Sequence, residues 1–143
     1  MTLVVATGTF DLLHPGHVLY LERSKALGDE LVVIVARDVN VRHKAKPILP
    51  EEQRRRMIES LKPVDRAILG EVGDIVRTIE DLRPDIITLG FDQHFDPSRL
   101  EHDLFRRGLH PRIVRIEEQE PCELCSSRRM VNKILERFRG RRI

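Results

Sequence analysis

Short apolar runs alternate with helix-like segments along the whole chain, and this alternation constrains the fold more than any other feature. The run Glu30 to Ala36 reads ELVVIVA and has no polar residue after its first position. A strand with this sequence has to be buried on both faces, as the strands of parallel sheets are. By contrast, the stretch Val18 to Leu27 places apolar residues at helical spacing and stops at Gly28.

The same patterns predict five strands and five helices that follow one another in turn. The predicted strands are Thr2–Ala6, Glu30–Ala36, Ala67–Leu69, Asp85–Leu89 and Arg112–Ile116. The predicted helices are Val18–Leu27, Glu51–Leu61, Ile75–Leu82, Pro97–Arg107 and Ser126–Phe138. Strands and helices joined in this way are typical of an α/β, doubly wound Rossmann-like domain with a five-stranded parallel sheet. Ligands of such domains bind beyond the carboxyl ends of the strands.

Composition limits the class of protein. The chain has 143 residues, of which 41% are hydrophobic, so one domain over residues 1–143 can bury an ordinary core without disulfide or metal support. No apolar run approaches the roughly 18 residues that cross a bilayer, and we expect no membrane partner. The first residues lack the basic and apolar regions of a signal peptide. We therefore expect a cytoplasmic protein.

Charge is informative by its distribution and not by its sum. There are 25 Lys and Arg against 23 Asp and Glu, a net charge of +2. The basic residues gather in Arg42–Lys46, in Arg54–Arg56 and in the C-terminal tract from Arg128 onward. Such runs either contact phosphates or form solvated faces, and the final pair Arg141 and Arg142 favours the second interpretation. We expect small phosphorylated ligands and no nucleic acid.

The loop after the first strand carries the most specific motif, GTFDLLHPGH, over Gly8 to His17. Its two histidines, His14 and His17, lie at the start of a predicted helix, where backbone N–H groups and the helix dipole attract anions. Each imidazole can donate a hydrogen bond to a phosphate oxygen. Two other interpretations stay open, a metal-binding pair and histidines that only cap the helix. A zinc site would need further ligands, and the loop offers only Asp11.

The loop contains neither the GxGxxG dinucleotide fingerprint nor a Walker-type GKS or GKT. It resembles the T/HxGH signature of the nucleotidyltransferase superfamily, in the GTFDxxHxGH form of its cytidylyltransferase-like members. The resemblance implies that an oxygen of a second substrate attacks the α-phosphorus of a nucleoside triphosphate and that pyrophosphate leaves. It implies a divalent metal ion, Mg²⁺ being the expected one, and nucleotide contacts from Thr9, Phe10, His14 and His17. His14 and His17 are also expected to be catalytic.

A basic loop follows the second strand, with the sequence DVNVRHKAKP over Asp38 to Pro47. It resembles the loop that closes over substrate phosphates in the same superfamily, which assigns Arg42, Lys44 and Lys46 to the substrate phosphate and gives Lys44 a catalytic role. The next helix begins with EQR, similar to the family's ExR element, so Arg54 is expected to be a structural or a phosphate partner. The alternative for the loop is a solvated basic segment.

The fourth strand leads into LGFDQ, which resembles the G-x-D-[QWH] sequence that lines the base and ribose in this superfamily. This implies a nucleotide contact from Asp92, which could also bind Mg²⁺, although a turn or helix-capping aspartate would have the same sequence.

The last predicted helix starts with Ser126 and Ser127, which resemble the I-S-[ST]-[ST]-x-I segment that grips the β- and γ-phosphates. The resemblance assigns the nucleotide to Ser126, Ser127 and Arg129, and a catalytic role to Arg128. The sequence departs from the pattern because Cys125 stands where the first serine is usual. Ser126 as a simple N-cap is the alternative.

Two cysteines, Cys122 and Cys125, lie immediately before this segment. Two thiols do not complete a four-ligand zinc site, so zinc would need histidines from elsewhere or a second subunit. The other interpretations are two ordinary reduced thiols, the default inside a cell, and a redox-sensitive pair. Because oxidation here would distort the turn that presents Ser126 and Ser127, we hypothesise that activity depends on reductant.

Within the superfamily, GTFDLLHPGH, the LKPVD segment and the C-terminal cysteine pair resemble the archaeal FAD synthases. That resemblance implies transfer of AMP from ATP to FMN and a homodimer. The flavin ring favours aromatic neighbours, and Phe91 and Phe95 are the candidates among the five Phe and one Tyr of the chain. One alternative is a cytidylyltransferase acting on a small phosphoalcohol such as glycerol 3-phosphate, although its RTxGIST sequence is replaced here by one containing Glu120 and Pro121. Another is a non-catalytic nucleotide-binding regulator, which would not need both histidines.

Overall fold

The computed structural model describes residues 1–91, 93 and 96–141. Within these residues, strands and helices alternate along the chain. The strands are β1 (Leu3–Gly8), β2 (Glu30–Val35), β3 (Arg66–Leu69), β4 (Ile86–Gly90) and β5 (Arg112–Ile116). The helices are α1 (Pro15–Lys25), α2 (Glu51–Glu59), α3 (Ile75–Leu82), α4 (Pro97–Arg106) and α5 (Ser127–Arg137). A 3₁₀ turn, Asp38–Asn40, follows β2.

The five strands form one parallel sheet in the order β3-β2-β1-β4-β5. The α/β fold with a five-stranded parallel sheet is confirmed. The largest difference from the predicted elements is in α1, which was expected over Val18–Leu27 and spans Pro15–Lys25. The strand β1 was expected to end at Ala6 and continues to Gly8. Its last two residues lack an apolar pattern, but Gly8 still pairs with Val35 of β2, because sheet pairing and not sequence pattern sets the end of the strand.

The core lies on both faces of the sheet, as the alternation of side chains along β1 shows. Val4 packs into the cluster that includes Leu21 of α1 and Ile58 of α2. Val5 packs into the opposite cluster, with Ile79 of α3 and residues of α4. All five side chains are inaccessible to solvent. Burial on both faces explains why β1 and β2 had to be almost entirely apolar.

The strand order reverses direction between β1 and β4. The chain moves from β1 outward to β2 and β3, and then returns to add β4 and β5 on the other side of β1. The loops that leave β1 and β4 therefore diverge at their carboxyl ends and leave a crevice between them, the usual ligand position in such sheets. None of the described helices is both long and apolar enough to cross a membrane.

Helix α5 packs differently from the other four described helices, because none of its residues is buried. Two of its apolar side chains are well exposed, Ile134 at 48% and Leu135 at 63%. Its start nevertheless lies against the loop that follows β1, where the Ser127 hydroxyl donates to the carbonyl of Leu12.

Candidate functional site

His14 caps the N-terminus of α1 and fixes the course of the loop that follows β1. Its backbone is extended, and its Nδ1 accepts a hydrogen bond of 3.1 Å from the backbone N–H of Gly16. Pro15 follows at the first helical position, where an N–H group would have no partner within the helix, so its absence costs no helical hydrogen bond. A neutral imidazole that accepts at Nδ1 carries its proton on Nε2, so His14 is a donor for a ligand.

His17 lies one turn further along α1 and stacks on His14, with 3.8 Å between the ring centroids. Burial is the main reason that the pKa of His17 is lowered from 6.5 to about 3, and the charge of Lys44 and that of His14, when His14 is protonated, lower it further. The ring is therefore neutral at pH 7. Its Nδ1 is buried and has no hydrogen-bond partner among the described residues. Buried polar atoms are nearly always paired, so this nitrogen is a candidate for a hydrogen bond to a bound ligand.

The residues around the two histidines hold their rings in place. A Cβ on Gly16 would lie 2.9 Å from the imidazole of His14, so no larger residue fits there without moving that ring. Phe10 adopts a left-handed backbone, with φ of 54°, and its buried ring packs edge-on against His17 and stacks with Tyr20. Phe10, which was expected to contact the nucleotide, is buried at 4% exposure and packs against His17.

Arg54 is completely buried, although the sequence placed it among the contacts to the substrate phosphate. Its guanidinium donates to the backbone carbonyls of Thr9 (2.6 Å) and Leu49 (2.9 Å) and to Asp38 Oδ1 (2.6 Å). Through these three hydrogen bonds the guanidinium joins the loop after β1, the turn after β2 and the start of α2. Of the two roles expected for Arg54, the structure therefore favours the structural one.

Lys46 and Asp11 fix the shape of the basic loop. Lys46 Nζ donates to the carbonyls of Asp38 and Val41, at 2.7 Å each, and so closes the loop on itself. Asp11 accepts from the backbone N–H groups of Ile48 (2.8 Å) and Leu49 (2.9 Å), and so ties the end of the basic loop to the loop carrying the histidines. Lys46 is bound to its own loop, and Asp11 has a positioning role that the sequence analysis did not assign.

The exposed part of the basic loop is its tip, which includes Arg42 and Lys44. Lys44 is near enough to the histidines for its charge to lower the pKa of His17. Arg42 makes a long hydrogen bond of 3.5 Å to the carbonyl of Val39 and is otherwise directed to solvent. The structure therefore brings Lys44, His14 and His17 together, while Arg42 lies at the edge of the same loop.

The turn after β4 is held by Gln93, which the sequence analysis did not assign. Its Oε1 accepts from the backbone N–H of Gly90 (2.7 Å), and its Nε2 donates to the carbonyl of Thr7 (2.8 Å) at the end of β1. Arg115 of β5 donates to the carbonyl of Gly90 at 2.7 Å. Phe91 is 46% exposed beside this turn. Asp92 and Phe95, two of the expected contacts, lie outside the described residues.

The start of α5 meets the loop after β1. Ser126 caps the helix by accepting from the backbone N–H of Arg129 (3.4 Å), and Ser127 Oγ donates to the carbonyl of Leu12 (3.0 Å). The carbonyl oxygen of Cys125 lies 3.8 Å from the position of a Cβ on Gly16. The expected phosphate-binding serines therefore lie next to the histidine loop, as the motif implies. Arg128, beside them, is exposed.

Cys122 and Cys125 form a disulfide, which differs from the reduced state expected as the default. Ser126 caps α5 while this bond is closed. Arg129 Nη1 donates to the carbonyls of Cys122 and Glu123, at 3.4 Å each. A closed bond between these two cysteines fits the redox-sensitive interpretation.

Together, these segments form a site for an anion, with hydrogen-bond donors at the start of α1 and the positive charge of the exposed Lys44 nearby. His14 Nε2, His17 and the N–H groups at the start of α1 are hydrogen-bond donors or potential donors, and Lys44 supplies charge. The described lining holds no side chain placed as a nucleophile with its own base. This arrangement can orient phosphates and stabilise charge that grows on them during a reaction between two bound substrates.

The buried state of His17 predicts a pH-dependent loss of stability. Below pH 6.5 the unfolded chain protonates His17 while the folded chain does not, down to about pH 3. The free energy of unfolding should therefore fall as the pH is lowered through this window, with a slope of up to about 1.4 kcal/mol per pH unit from this residue. Above pH 6.5 the ring is neutral in both states, and the contribution is zero.

The prediction can be measured by urea unfolding of the wild type and of His17→Asn at a series of pH values. Relative to the wild type, the variant should gain about 2 kcal/mol between neutral pH and about pH 5. Parallel pH profiles for the two proteins would show that the folded chain protonates His17 normally.

Comparison with known protein families identifies one match that spans most of the chain. The family model described as cytidylyltransferase-like matches residues 5–133. The matched region begins within β1 and ends within α5, so it contains the histidine loop, the basic loop, the turn after β4 and the serines at the start of α5.

Curated relatives share more than half of their residues with this chain. A protein named FAD synthase from Methanothrix thermoacetophila is 65% identical over 136 residues, which cover 95% of each chain. A FAD synthase from Archaeoglobus profundus is 58% identical over 141 residues, covering 99% of this chain and 91% of the relative.

A solved structure has the same fold. The crystal structure of a protein from Thermoplasma volcanium, titled a lipopolysaccharide core biosynthesis protein, superposes with a TM-score of 0.81 at 50% identity. The match covers 84% of this chain and 99% of the Thermoplasma chain. The overall fold is therefore shared with a protein of known structure.

Proposed function

The chain belongs to the cytidylyltransferase-like family, and from that premise we propose that it transfers AMP from ATP to the phosphate of FMN, giving FAD and pyrophosphate. The observation that carries the chemistry is the stacked pair His14 and His17 at the start of α1, with a buried His17 nitrogen that has no partner among the described residues. The substrates are those implied by the curated relatives, which are named FAD synthases at 65% and 58% identity.

In the proposed reaction, a phosphate oxygen of FMN attacks the α-phosphorus of ATP. The new P–O bond joins the two phosphates of FAD, and the bond between the α-phosphorus and the oxygen bridging it to the β-phosphorus breaks, so that pyrophosphate leaves. The attacking oxygen is already ionised at neutral pH, so no protein nucleophile or strong base is needed. The protein contributes orientation of the two substrates and stabilisation of the charge that moves onto the leaving group.

The residues divide this task between them. His14 donates through Nε2, and the neutral His17 offers a hydrogen bond from a buried position, so both can hold oxygens of the α-phosphate. Lys44, at the exposed tip of the basic loop, supplies positive charge above them. The start of α5 lies beside the histidine loop, which supports Ser126, Ser127 and the neighbouring arginines as the groups that bind the β- and γ-phosphates.

The donor set fits a metal ion that is bound mainly by the nucleotide. Within the described part of the chain there is no group of three His, Cys, Asp or Glu side chains that could hold a metal. Mg²⁺ is commonly bound by one or two carboxylates together with substrate phosphates and water. We place it on the triphosphate, where it would neutralise the leaving pyrophosphate. Asp92 remains the candidate protein ligand.

The assay that tests this function is pyrophosphate release measured with each pair of possible substrates. ATP and CTP are each combined with FMN, glycerol 3-phosphate and phosphocholine. Release with ATP and FMN, together with formation of FAD, is expected. Release only with CTP and glycerol 3-phosphate would assign the chain to the cytidylyltransferases of small phosphoalcohols, and nucleotide binding without release would assign it to the non-catalytic regulators.

Phe91 offers a contact for the isoalloxazine ring of FMN. It is an exposed aromatic side chain, 46% accessible, at the carboxyl end of β4 and therefore beside the crevice. Stacking on an aromatic ring would favour a flavin over glycerol 3-phosphate, which has no planar group. The exposed aromatic ring therefore supports FMN as the acceptor, whereas the phosphate chemistry would be the same for FMN and for glycerol 3-phosphate.

Removing the carboxylate of Asp11 should impair catalysis without unfolding the protein. In Asp11→Ala the N–H groups of Ile48 and Leu49 lose their acceptor, so the basic loop is no longer tied to the histidine loop. Misplacement of Lys44 should lower kcat/KM by about 10- to 100-fold. Asp11→Asn keeps one accepting oxygen, so its kcat/KM should lie between those of the wild type and Asp11→Ala. The control is Asp81→Ala, which removes an exposed aspartate of α3. Full activity in Asp11→Ala would show that the loop is positioned by other contacts.

Reductant is expected to raise the activity several-fold. With the disulfide closed, the Ser127 hydroxyl and the Arg129 guanidinium are engaged by backbone carbonyls instead of by a substrate. Opening the bond frees the turn between Cys122 and Cys125, so that these groups can reach the triphosphate. Pyrophosphate release after exposure to air is compared with and without dithiothreitol. The rate of the double Cys→Ser variant should be the same with and without dithiothreitol. Equal rates of the wild type with and without dithiothreitol would contradict a redox role for the cysteine pair.

The active form is proposed to be a homodimer in the cytoplasm. The homodimer is implied by the family resemblance alone. The cytoplasm is the compartment in which ATP is plentiful, and ATP is the nucleotide substrate of the proposed reaction.

A further inference from the structure

The pairing between β1 and β4 ends earlier than the pairing of either strand with its other neighbour. The register of β1 with β4 ends at the pair Ala6 and Thr88. On its other side, β1 stays paired with β2 as far as Gly8, and β4 stays paired with β5 as far as Gly90. The two central strands therefore separate at their carboxyl ends, where the crevice begins.

A side chain takes the place of the next sheet hydrogen bond between these two strands. The carbonyl of Gly8 faces β2, where it accepts from the N–H of Ala36 at 2.9 Å. Backbone groups alternate along a strand, so those of Thr7 face β4, and a continued register would join the Thr7 carbonyl to the N–H of Gly90. Instead, the N–H of Gly90 donates to Oε1 of Gln93 (2.7 Å), and Nε2 of Gln93 donates to the Thr7 carbonyl (2.8 Å). The carboxamide therefore lies between the strands.

The carboxamide of Gln93 suits this position and is held in it. It carries an acceptor and a donor without a charge, so it satisfies an N–H group and a carbonyl that would otherwise be unpaired. The backbone of Gln93 is held as well, because its N–H donates to the Gly90 carbonyl (3.3 Å) and its carbonyl accepts from Arg115 Nη1 (3.3 Å). With its backbone and its side chain both bonded, Gln93 keeps one position.

Tyr20 lies at the floor of the gap and connects it to the histidines. Its hydroxyl accepts from the N–H of Thr7 (3.2 Å) and donates to the carbonyl of Thr88 (2.8 Å), at the last paired level of the two strands. Its ring stacks with Phe10, whose ring packs edge-on against His17. A change in the separation of β1 and β4 would therefore reach the ring of His17 through direct contacts.

We propose that Gln93 is a positioning residue, whose carboxamide holds the carboxyl ends of β1 and β4 apart and so sets the width of the crevice that receives the nucleotide. The inference rests on the adenylyl transfer proposed above for the identity of the substrates. The loop with His14 and His17 leaves β1, and the turn with Phe91 leaves β4. The separation of the two strands is thus also the separation of the groups proposed to bind the two substrates. A misplacement of about 1 Å lowers a rate by up to about 100-fold.

Two substitutions of Gln93 separate its effect on spacing from its effect on stability. Gln93→Ala leaves room for the N–H of Gly90 to meet the Thr7 carbonyl, so the ladder should extend by one hydrogen bond and narrow the crevice. Gln93→Met has nearly the length of glutamine and no hydrogen-bonding amide. It should keep the strands apart while leaving both backbone groups unpaired.

The two variants are expected to rank in opposite orders for activity and for stability. The kcat/KM of Gln93→Ala should fall by about 100-fold, and that of Gln93→Met should stay within about 10-fold of the wild type. The Tm of Gln93→Met should be several degrees below that of Gln93→Ala, because only the methionine variant has unpaired backbone groups. A residue that acts only through stability would give the same order for both measurements.

Two further measurements do not require turnover. A crystal structure of Gln93→Ala should show the N–H of Gly90 at about 2.9 Å from the Thr7 carbonyl oxygen. Calorimetry should show that Gln93→Ala binds ATP at least about 10-fold more weakly than the wild type does. CTP replaces ATP in this experiment if CTP is the nucleotide that the wild type binds. Spacing by Gln93 is therefore decided even if the substrate assay assigns the chain to another reaction.

The matched controls are Gln53→Ala and Gln53→Met, which change an exposed glutamine of α2 and should retain the wild-type kcat/KM and Tm. Any one of three results would overturn the proposal. The kcat/KM of Gln93→Ala could equal that of the wild type, Gln93→Met could lose more activity than Gln93→Ala, or the crystal structure of Gln93→Ala could show β1 and β4 as far apart as in the wild type.

Discussion

Replacing His17 by asparagine is expected to lower kcat for adenylyl transfer by about 100- to 1000-fold, the range observed when one preorganised hydrogen-bond donor to a transition state is removed. The fold should be unaffected, because Nδ1 of His17 has no hydrogen-bond partner among the described residues that the substitution could remove. Pyrophosphate release under saturating ATP and FMN measures the rate, and circular dichroism verifies the fold.

Two further histidine variants make this test specific. His102→Asn, at an exposed position of α4, should retain the wild-type rate. His14→Asn keeps an oxygen that can accept from Gly16 and so preserves the cap of α1, and it should lose activity without a large loss of stability. Turnover by His17→Asn within a few-fold of the wild type would refute the catalytic assignment.

Replacing Arg54 by methionine is expected to produce the largest loss of stability of any single substitution considered in this protein, about 3 to 5 kcal/mol. The substitution removes a fully buried guanidinium that serves the carbonyls of Thr9 and Leu49 and the carboxylate of Asp38. The two carbonyls would be left without a donor in a site that methionine keeps dry. Urea or thermal unfolding measures the loss.

The neighbouring position supplies the control for this effect. Arg56→Ala removes a positive charge from the exposed face of the same helix and should change the free energy of unfolding by less than about 0.5 kcal/mol. Arg54→Lys tests the geometry, because a lysine cannot reach three acceptors that lie in different directions. A stability of Arg54→Met close to that of Arg56→Ala would contradict the role described for the buried guanidinium.

The alternation of elements could be predicted because each strand is short, apolar and bounded by polar or turn residues. The run ELVVIVA required burial on both faces, and only a central parallel strand provides it. The end of β1 could not be predicted, because Thr7 and Gly8 join the sheet through pairing with β2 and not through any pattern of their own.

The site was predictable where a motif places groups close together in sequence. His14 and His17 are three residues apart at a helix start, so their proximity follows from local geometry. The roles of Lys46 and Arg54 were not predictable in the same way, since a basic side chain can serve a substrate or a backbone carbonyl equally well. Asp11 contacts the N–H groups of residues that lie 37 and 38 positions away, and no local pattern records such a contact.

The hydrogen bond from Ser127 to Leu12 joins residues 115 positions apart in the sequence. During synthesis, the histidine loop leaves the ribosome long before the serines that complete its surroundings. The contact cannot form until residue 127 has been synthesised, after all five strands, and closing so long a loop costs conformational entropy. A nascent chain would therefore have a largely formed sheet well before it could bind a nucleotide productively, and the appearance of activity would mark the end of folding.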